Sequence, residues 1–170
     1  MEFMDVVEKR YSCKKYDGQP IHTNQLSAIL RAGRLAPTAK NLQEQQILVV
    51  ETAEGLAKVD SVTPCRYGAP NVHVVSYDRT NTFTYPGGKY SSGAEDAAIV
   101  ATHMILAAAD AGVDSCWVNN FDPDKAREVF GLAENVHVLC LIDLGHAAEG
   151  AGPLPNHGKR KALEETVKYI

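Results

Sequence analysis

The stretch from Gly93 to Phe121, GAEDAAIVATHMILAAADAGVDSCWVNNF, decides the architecture, because it is apolar on nearly every side and then turns at once into a second element. Between Ala94 and Ala111 the polar residues are Glu95, Asp96, Thr102, His103 and Asp110. They recur every two helical turns and so form one narrow stripe on an otherwise apolar helix. Such a helix is roughly 27 Å long at 1.5 Å per residue, and a helix apolar almost all round must be covered almost all round. Gly112 supplies the left-handed residue that ends it, and Val113 to Val118 reads as a buried strand. A membrane span is a poor alternative, since three acids and a histidine lie inside a segment too short to spare them. The high share of alanine points to close helix contact, within the core or across a subunit interface.

Working outward, the chain of 170 residues is long enough to bury a sizeable core and reads as one domain, residues 1–170. Seventeen basic residues against twenty-one acidic ones leave a net charge of −4, which gives no bulk attraction to nucleic acid. The N-terminal MEFMDVVEKR has acids where a secretory signal carries bases, and no run is long enough to cross a bilayer. The expected location is therefore cytoplasmic, with no membrane contact. Cys13, Cys65, Cys116 and Cys140 are far apart and read as free thiols. The six histidines are scattered, and no metal site is expected.

Before the central stretch, Phe3, Val6 and Val7 mark a short first helix. Thr23 is a candidate N-cap for a second, which Gly33 could close. Strands are expected at Ile47 to Glu51 and Val72 to Tyr77, with a helix at Ala53 to Asp60 between them. The segment from Asp78 to Ser92 reads as a long loop, of the kind more often functional than idle. After the central stretch, Asp122-Pro123-Asp124 opens a helix that should stop at Gly131. Val136 to Leu144, apolar on both faces, belongs in the middle of a sheet. Gly145 to Gly158 shows no periodicity, and a last helix is expected over Leu163 to Tyr169. Strands and helices alternate as in an α/β or α+β layer structure.

Four stretches have the composition of a binding site. In an extended segment Arg10, Ser12 and Lys14 point the same way, which suits a phosphate or polyol phosphate, although a solvated basic patch has the same spacing. Ala36 to Gln43, APTAKNLQ, combines small side chains, a proline-fixed turn and amides, so that backbone can approach a flat polar ligand. Gly158-Lys159-Arg160-Lys161 is either a solvated run or a second phosphate clamp. At Cys116 to Asn120 a strand ends where backbone N–H groups are left for a ligand. Cys116 has no histidine near it in sequence, and a buried cysteine is usually inert.

In that order the stretches resemble the nitroreductase superfamily of flavin mononucleotide (FMN) oxidoreductases. RYSCKKYDGQPI is similar to the family's R-R-S-x-R-x-F-x-x-x-x-I opening, and APTAKNLQ to its A-P-S-x-x-N-x-Q loop. YGAPNVHVVSYD is similar to A-P-x-x-I-V-V-x-x-D, and the central stretch to the segment ending G-L-G-S-C-W-x-x-x-F. KRKALEETV is similar to the C-terminal R-K-P-L-E-E-x-V. The departures are Gln43-Glu44-Gln45 in place of Q-P-W, Lys14 in place of the commoner arginine, and Asn119-Asn120 where glycine is frequent. The chain is also short for the family, so a helical excursion that shapes the pocket is expected to be missing.

The resemblance implies an α+β, three-layer α/β/α fold with a mixed, mainly antiparallel sheet. It further implies a homodimer with FMN at two interface sites. Arg10 and Arg160 would hold the phosphate. Tyr11 and Ser12 would line the phosphate, ribityl and ring edge, with Lys14 toward the pyrimidine side. Pro37, Thr38, Ala39 and Asn41 would come from the other subunit, and Trp117, Val118 and Asn119 would flank the ring, the Asn119 N–H directed at flavin N5. The implied activity passes electrons from NAD(P)H to a nitroaromatic, quinone or similar electron-poor small molecule by a ping-pong cycle, with no catalytic side-chain acid or base. The rivals are a dehalogenase or flavin-fragmenting enzyme on the same fold and a non-catalytic flavin-binding or dimeric interaction protein.

Overall fold

A computed structural model describes residues 2–170. The central stretch forms α4 (Gly93–Asp110) and β3 (Asp114–Val118). Gly112, at φ +73°, makes the turn between them, and the Val113 amide donates back to the Ala108 carbonyl at 2.8 Å. The other elements are α1 (Phe3–Lys9), α2 (Thr23–Leu35), β1 (Gln45–Val50), α3 (Ala53–Val62), β2 (Asn71–Asp78), α5 (Pro123–Val129), β4 (Val136–Gly145) and α6 (Leu163–Thr166). Among the described residues no helix is long and apolar enough to cross a membrane.

The strand order is β1-β2-β4-β3, with antiparallel pairing throughout. β4 is central, as its two apolar faces require, and β1 and β3 are the edges. A single parallel bridge, Ser12 to Ser115, lays the N-terminal segment along β3. The two faces are separate cores. Val72, Val74, Cys116, Val118, Val138 and Leu141 pack with Val59 and Val62 of α3 and Ala126 of α5. Val75, Tyr77, Cys140, Ile142 and Leu144 pack with Ile29 of α2 and the inner face of α4. Val138 and Cys140 thus face opposite ways although two residues apart. The register explains this: Val75 pairs with Cys140 but Ser76 with Val138, so Leu139 is the extra residue of a bulge that exchanges the faces of β4.

Element ends differ from expectation in instructive ways. α2 does not stop at Gly33 but at Leu35, because Ala36 precedes Pro37 and is driven to extended backbone, φ −63° and ψ 141°. Gly33 instead admits Met104 of α4: a Cβ there would lie 2.8 Å from Met104 Cγ. The N-cap of α2 is His22 rather than Thr23, with the Gln25 side chain accepting from the His22 amide at 2.9 Å. Gln25 Nε2 also donates to the Ala111 carbonyl at 3.0 Å, tying the start of α2 to the end of α4. α5 begins as expected, with Asp122 Oδ1 accepting from the Asp124 and Lys125 amides. α6 ends at Thr166, three residues early: its single turn is exposed, and the β-branched Val167 follows in extended backbone, φ −121° and ψ 133°. α1 buries only Val6, leaving Phe3 and Val7 exposed.

At the other end of α4, a Cβ on Gly93 would sit 2.3 Å from the Tyr77 ring, itself buried under the helix. A ring held by a core cannot step aside cheaply. Gly93→Ala is expected to lower the urea midpoint with an unchanged slope, a loss of about 2 kcal/mol in line with core overpacking.

Candidate functional site

The segment after α1 is extended, and alternation sorts its side chains. Cys13 and Tyr16 are buried, whereas Lys14 is exposed and Ser12 half-buried. The Cys13 amide donates to the Ser115 carbonyl at 2.9 Å, so this segment is fixed against β3. Ser12 and Lys14 consequently line one cavity with Cys116 and Trp117, about 320 Å³ in volume, closed on its far side by Leu154, Asn156 and His157. The structure does not place Arg10 with them. Arg10 lines a smaller cavity of about 150 Å³ with Tyr11, Asp114, Ser115 and the C-terminal end of α4 at Ala109 and Gly112. Among the described residues the Arg10 guanidinium makes no ion pair or hydrogen bond.

The aperiodic segment 146–158 joins the two cavities. The Ala148 amide donates to the Lys15 carbonyl and the Asp17 amide to the His146 carbonyl, so the chain folds back over the first segment. His157 lines the larger cavity and meets the Tyr11 ring edge-on, centroids 6.5 Å apart. Arg160 donates to the carbonyls of His157 and Lys159, which brings a third cation to this side. Trp117 Nε1 donates to Asn119 Oδ1 at 2.7 Å, fixing the strand end, where Val118 is buried and Asn119 exposed.

Pro37, Thr38, Ala39 and Asn41 lie elsewhere. They precede β1, at the sheet edge opposite β3, and the Ala39 amide donates to Asp96 Oδ1 in the first turn of α4 at 2.9 Å. In one chain the two halves of the sequence-derived site are therefore separated along α4, whose eighteen residues span roughly 27 Å. The turn carries three non-glycine residues in the left-handed region, Lys40, Asn41 and Gln43, with φ of 53°, 56° and 53°. Each costs roughly 1 kcal/mol or more, least for Asn41, and such strain gathers at functional sites.

Several residues were not legible from the sequence. Leu154, Asn156 and His157 carry no pattern. Cys65, Tyr67 and Asn120 gather beside Lys14: Asn120 Nδ2 donates to Cys65 Sγ at 3.4 Å, and Lys14 Nζ stands 5.7 Å from the Tyr67 ring centroid. The Tyr67 hydroxyl and the Asn120 amide hold the Cys65 thiol below its ordinary pKa, and Lys14 adds to this. Cys116 is the reverse case: burial pushes its thiol up to about 12, the inert state read from sequence.

Behind the cavity lies Asp143, fully buried, with neither carboxylate oxygen hydrogen-bonded among the described residues, opposite Cys116 in the β3–β4 register. Burial raises its pKa to about 8, against the opposing field of Arg66. The folded chain holds this proton while the unfolded chain releases it near pH 4, so stability declines as pH rises from about 4 to 8. Asp143→Asn is expected to remove that decline, with a gain of up to about 5 kcal/mol at pH 9 and little change at pH 4. Urea unfolding from pH 4 to 9 reads this directly.

The likenesses to known proteins are specific. The model of the Nitroreductase family matches residues 7–66 and 66–146. A crystal structure of a nitroreductase family protein from Clostridium difficile 630 superposes with a TM-score of 0.93 at 32% identity, covering 99% of this chain and 98% of that one. A nitroreductase with bound FMN from Bacteroides fragilis is 25% identical, with a TM-score of 0.75 over 100% of this chain and 99% of that one. A Thermus thermophilus protein named NADH dehydrogenase is 26% identical over 95% of this chain and 92% of its own length.

Proposed function

The chain belongs to the nitroreductase family, and from that premise we propose that it is an NAD(P)H-dependent FMN oxidoreductase working as a homodimer. The observation that carries the reading is the set of Arg10, Ser12, Lys14 and Trp117 along one segment and one strand end, with two cations free of carboxylate partners among the described residues. A guanidinium, an ammonium and a hydroxyl beside an indole fit the phosphate, polyol and ring of a flavin nucleotide. The bound FMN of the Bacteroides fragilis relative supports the same cofactor.

A second copy supplies what one chain lacks. Glu95, Ala98, Ile99, Thr102 and His103 form a shallow, largely apolar depression on the outer face of α4. Two copies packed there about a two-fold axis with antiparallel α4 helices would set the N-terminal turn of one beside the C-terminal end of the other. Thr38, Ala39 and Asn41 of one protomer would then meet Arg10, Ser12 and Lys14 of its partner. The exposed Phe3, Val7, Leu163, Val167 and Tyr169 are further apolar surface for that contact.

In this arrangement Arg10 and Arg160 would hold the phosphate and Ser12 the ribityl hydroxyls, while Trp117, Val118 and Asn119 would form the wall beside the ring. Pro37 fixes the turn that brings the Ala39 and Asn41 backbone close. Lys14 would place positive charge on the pyrimidine side of the cofactor, where it would favour the reduced form. Bound FMN would supply the redox chemistry linking NAD(P)H to a nitroaromatic, quinone or similar acceptor, in the ping-pong order we infer. The protein orients and excludes water, and needs no side-chain acid or base.

The purified protein is expected to be yellow and to bleach on addition of NADH or NADPH; a protein that neither binds FMN nor oxidises either donor contradicts the reading. Arg10→Ala should weaken FMN binding about tenfold or more, the loss of a charge-assisted contact, while Lys15→Ala, whose ammonium donates to the Glu149 carbonyl, should change it little. Equal effects would assign the binding to bulk charge.

A further inference from the structure

Glu44 and Asp96 are two acids that the activity above does not use, and each is almost wholly buried, at 3% and 4% exposure. Glu44 leaves the strained turn just before β1, and Asp96 sits in the first turn of α4. One oxygen of each is engaged: Ser92 Oγ donates to Glu44 Oε1 at 3.4 Å, and the Ala39 amide donates to Asp96 Oδ1. The other oxygens, Glu44 Oε2 and Asp96 Oδ2, are buried with no donor to meet them among the described residues. Ser92 touches both residues, its hydroxyl donating to Glu44 and its carbonyl accepting from the Asp96 amide at 2.8 Å, and the neighbouring Asp96 carboxyl raises the Glu44 pKa. Two ionised carboxylates buried beside one another would repel, whereas one proton between them satisfies both orphaned oxygens.

We propose that Glu44 and Asp96 share one proton, and that this bond clamps the Thr38–Gln43 turn in the shape that meets the flavin. The role rests on the reading of that turn as a cofactor-facing element. The clamp has three further points. Gln43 N donates to Thr38 Oγ1 at 3.1 Å, Asn81 Nδ2 donates to the Leu42 carbonyl at 3.1 Å, and the Asp78 amide donates to the Glu44 carbonyl at 2.9 Å. Among the described residues, the Asp96 bond is what ties the turn to α4, and three left-handed residues would relax without it. Both acids are therefore positioning residues.

The charged groups on the surrounding elements are engaged elsewhere. Lys40 lies over the Phe83 ring, Glu95 accepts from the Tyr85 hydroxyl, Asp78 accepts from Thr80 and Asn135, and Arg79 donates to the Glu134 and Asn135 carbonyls. Burial first, and Asp96 next, raise the Glu44 pKa above the ordinary carboxylate range. A raised acid holds its stabilising proton at low pH and loses it as pH rises through the folded value. The turn is consequently tightest at low pH and loosens as pH rises through that raised value.

The test is amide hydrogen exchange at Ala39, expressed as a protection factor against β4 amides, from pH 4 to 9 in the flavin-free protein, with FMN affinity measured in parallel by fluorescence quenching. In the unsubstituted protein both should fall with rising pH. Glu44→Gln keeps a donor to Asp96 that cannot titrate, so its protection and affinity should stay near the low-pH values throughout. Asp96→Ala removes the acceptor and should lower Ala39 protection and FMN affinity about tenfold at all pH values; if it fails to fold, Asp96→Asn, which retains the acceptor, should behave as Glu44→Gln. Ala39 protection independent of pH, or Glu44→Gln titrating like the parent, overturns the clamp even when FMN binds. A pH-dependent Ala39 amide in a protein that binds no FMN upholds the shared proton and overturns its link to the flavin.

Discussion

The burial of α4 is the constraint on which the rest depends. Its inner residues from Ala97 to Ala108 seal one face of the sheet, and two glycines set its distance: Gly93 from the Tyr77 ring and Gly33 from Met104. With that helix fixed, its two ends determine where the site residues fall. The C-terminal end turns through Gly112 into β3, which carries Cys116 and Trp117 and anchors Ser12 by a parallel bridge. The first turn holds Ala39 through Asp96. One rigid element thus positions both groups and, by its own length, keeps them apart within a chain.

Much of this was legible in the sequence, and the reason is periodicity. The polar stripe of α4, the two-faced apolar run of β4 and the Asp122-Pro123 start of α5 are each decided by local physics, and each stands where expected. What failed was set by tertiary contact. Gly33 looked like a helix end because glycine is usual there, but its use is to admit a methionine side chain, and Pro37 does the stopping. The bulge at Leu139 leaves no trace in a uniformly apolar strand. His157 and the Cys65–Tyr67–Asn120 group belong to segments without a period, so only the folded chain brings them beside Lys14. Arg10, Ser12 and Lys14 were read as one row; β3 and the end of α4 divide them between two cavities.

The charges fall into two classes with different physics. Arg10, Lys14 and Arg160 are on or near the surface, where each gains most from an anionic ligand and little from the protein itself. Asp143, Glu44 and Asp96 are buried and lack donors for at least one oxygen among the described residues, and burial raises the pKa of Asp143 and of Glu44. Asp143 stands alone between sheet and helices, and its effect is on stability. Glu44 and Asp96 act together, and their effect is on the shape of a turn.

The central claim is that each site is shared between two chains. Mixing two variants that each lose FMN tests it most directly: one altered at Arg10 and Ser12, the other with the Thr38–Asn41 turn replaced by a flexible sequence. A mixed dimer places both defects in one site and leaves the other intact. The account predicts that co-refolded mixtures, but neither variant alone, recover FMN at one per mixed dimer together with NAD(P)H oxidation. Mixed dimers that form without recovering any flavin would contradict it.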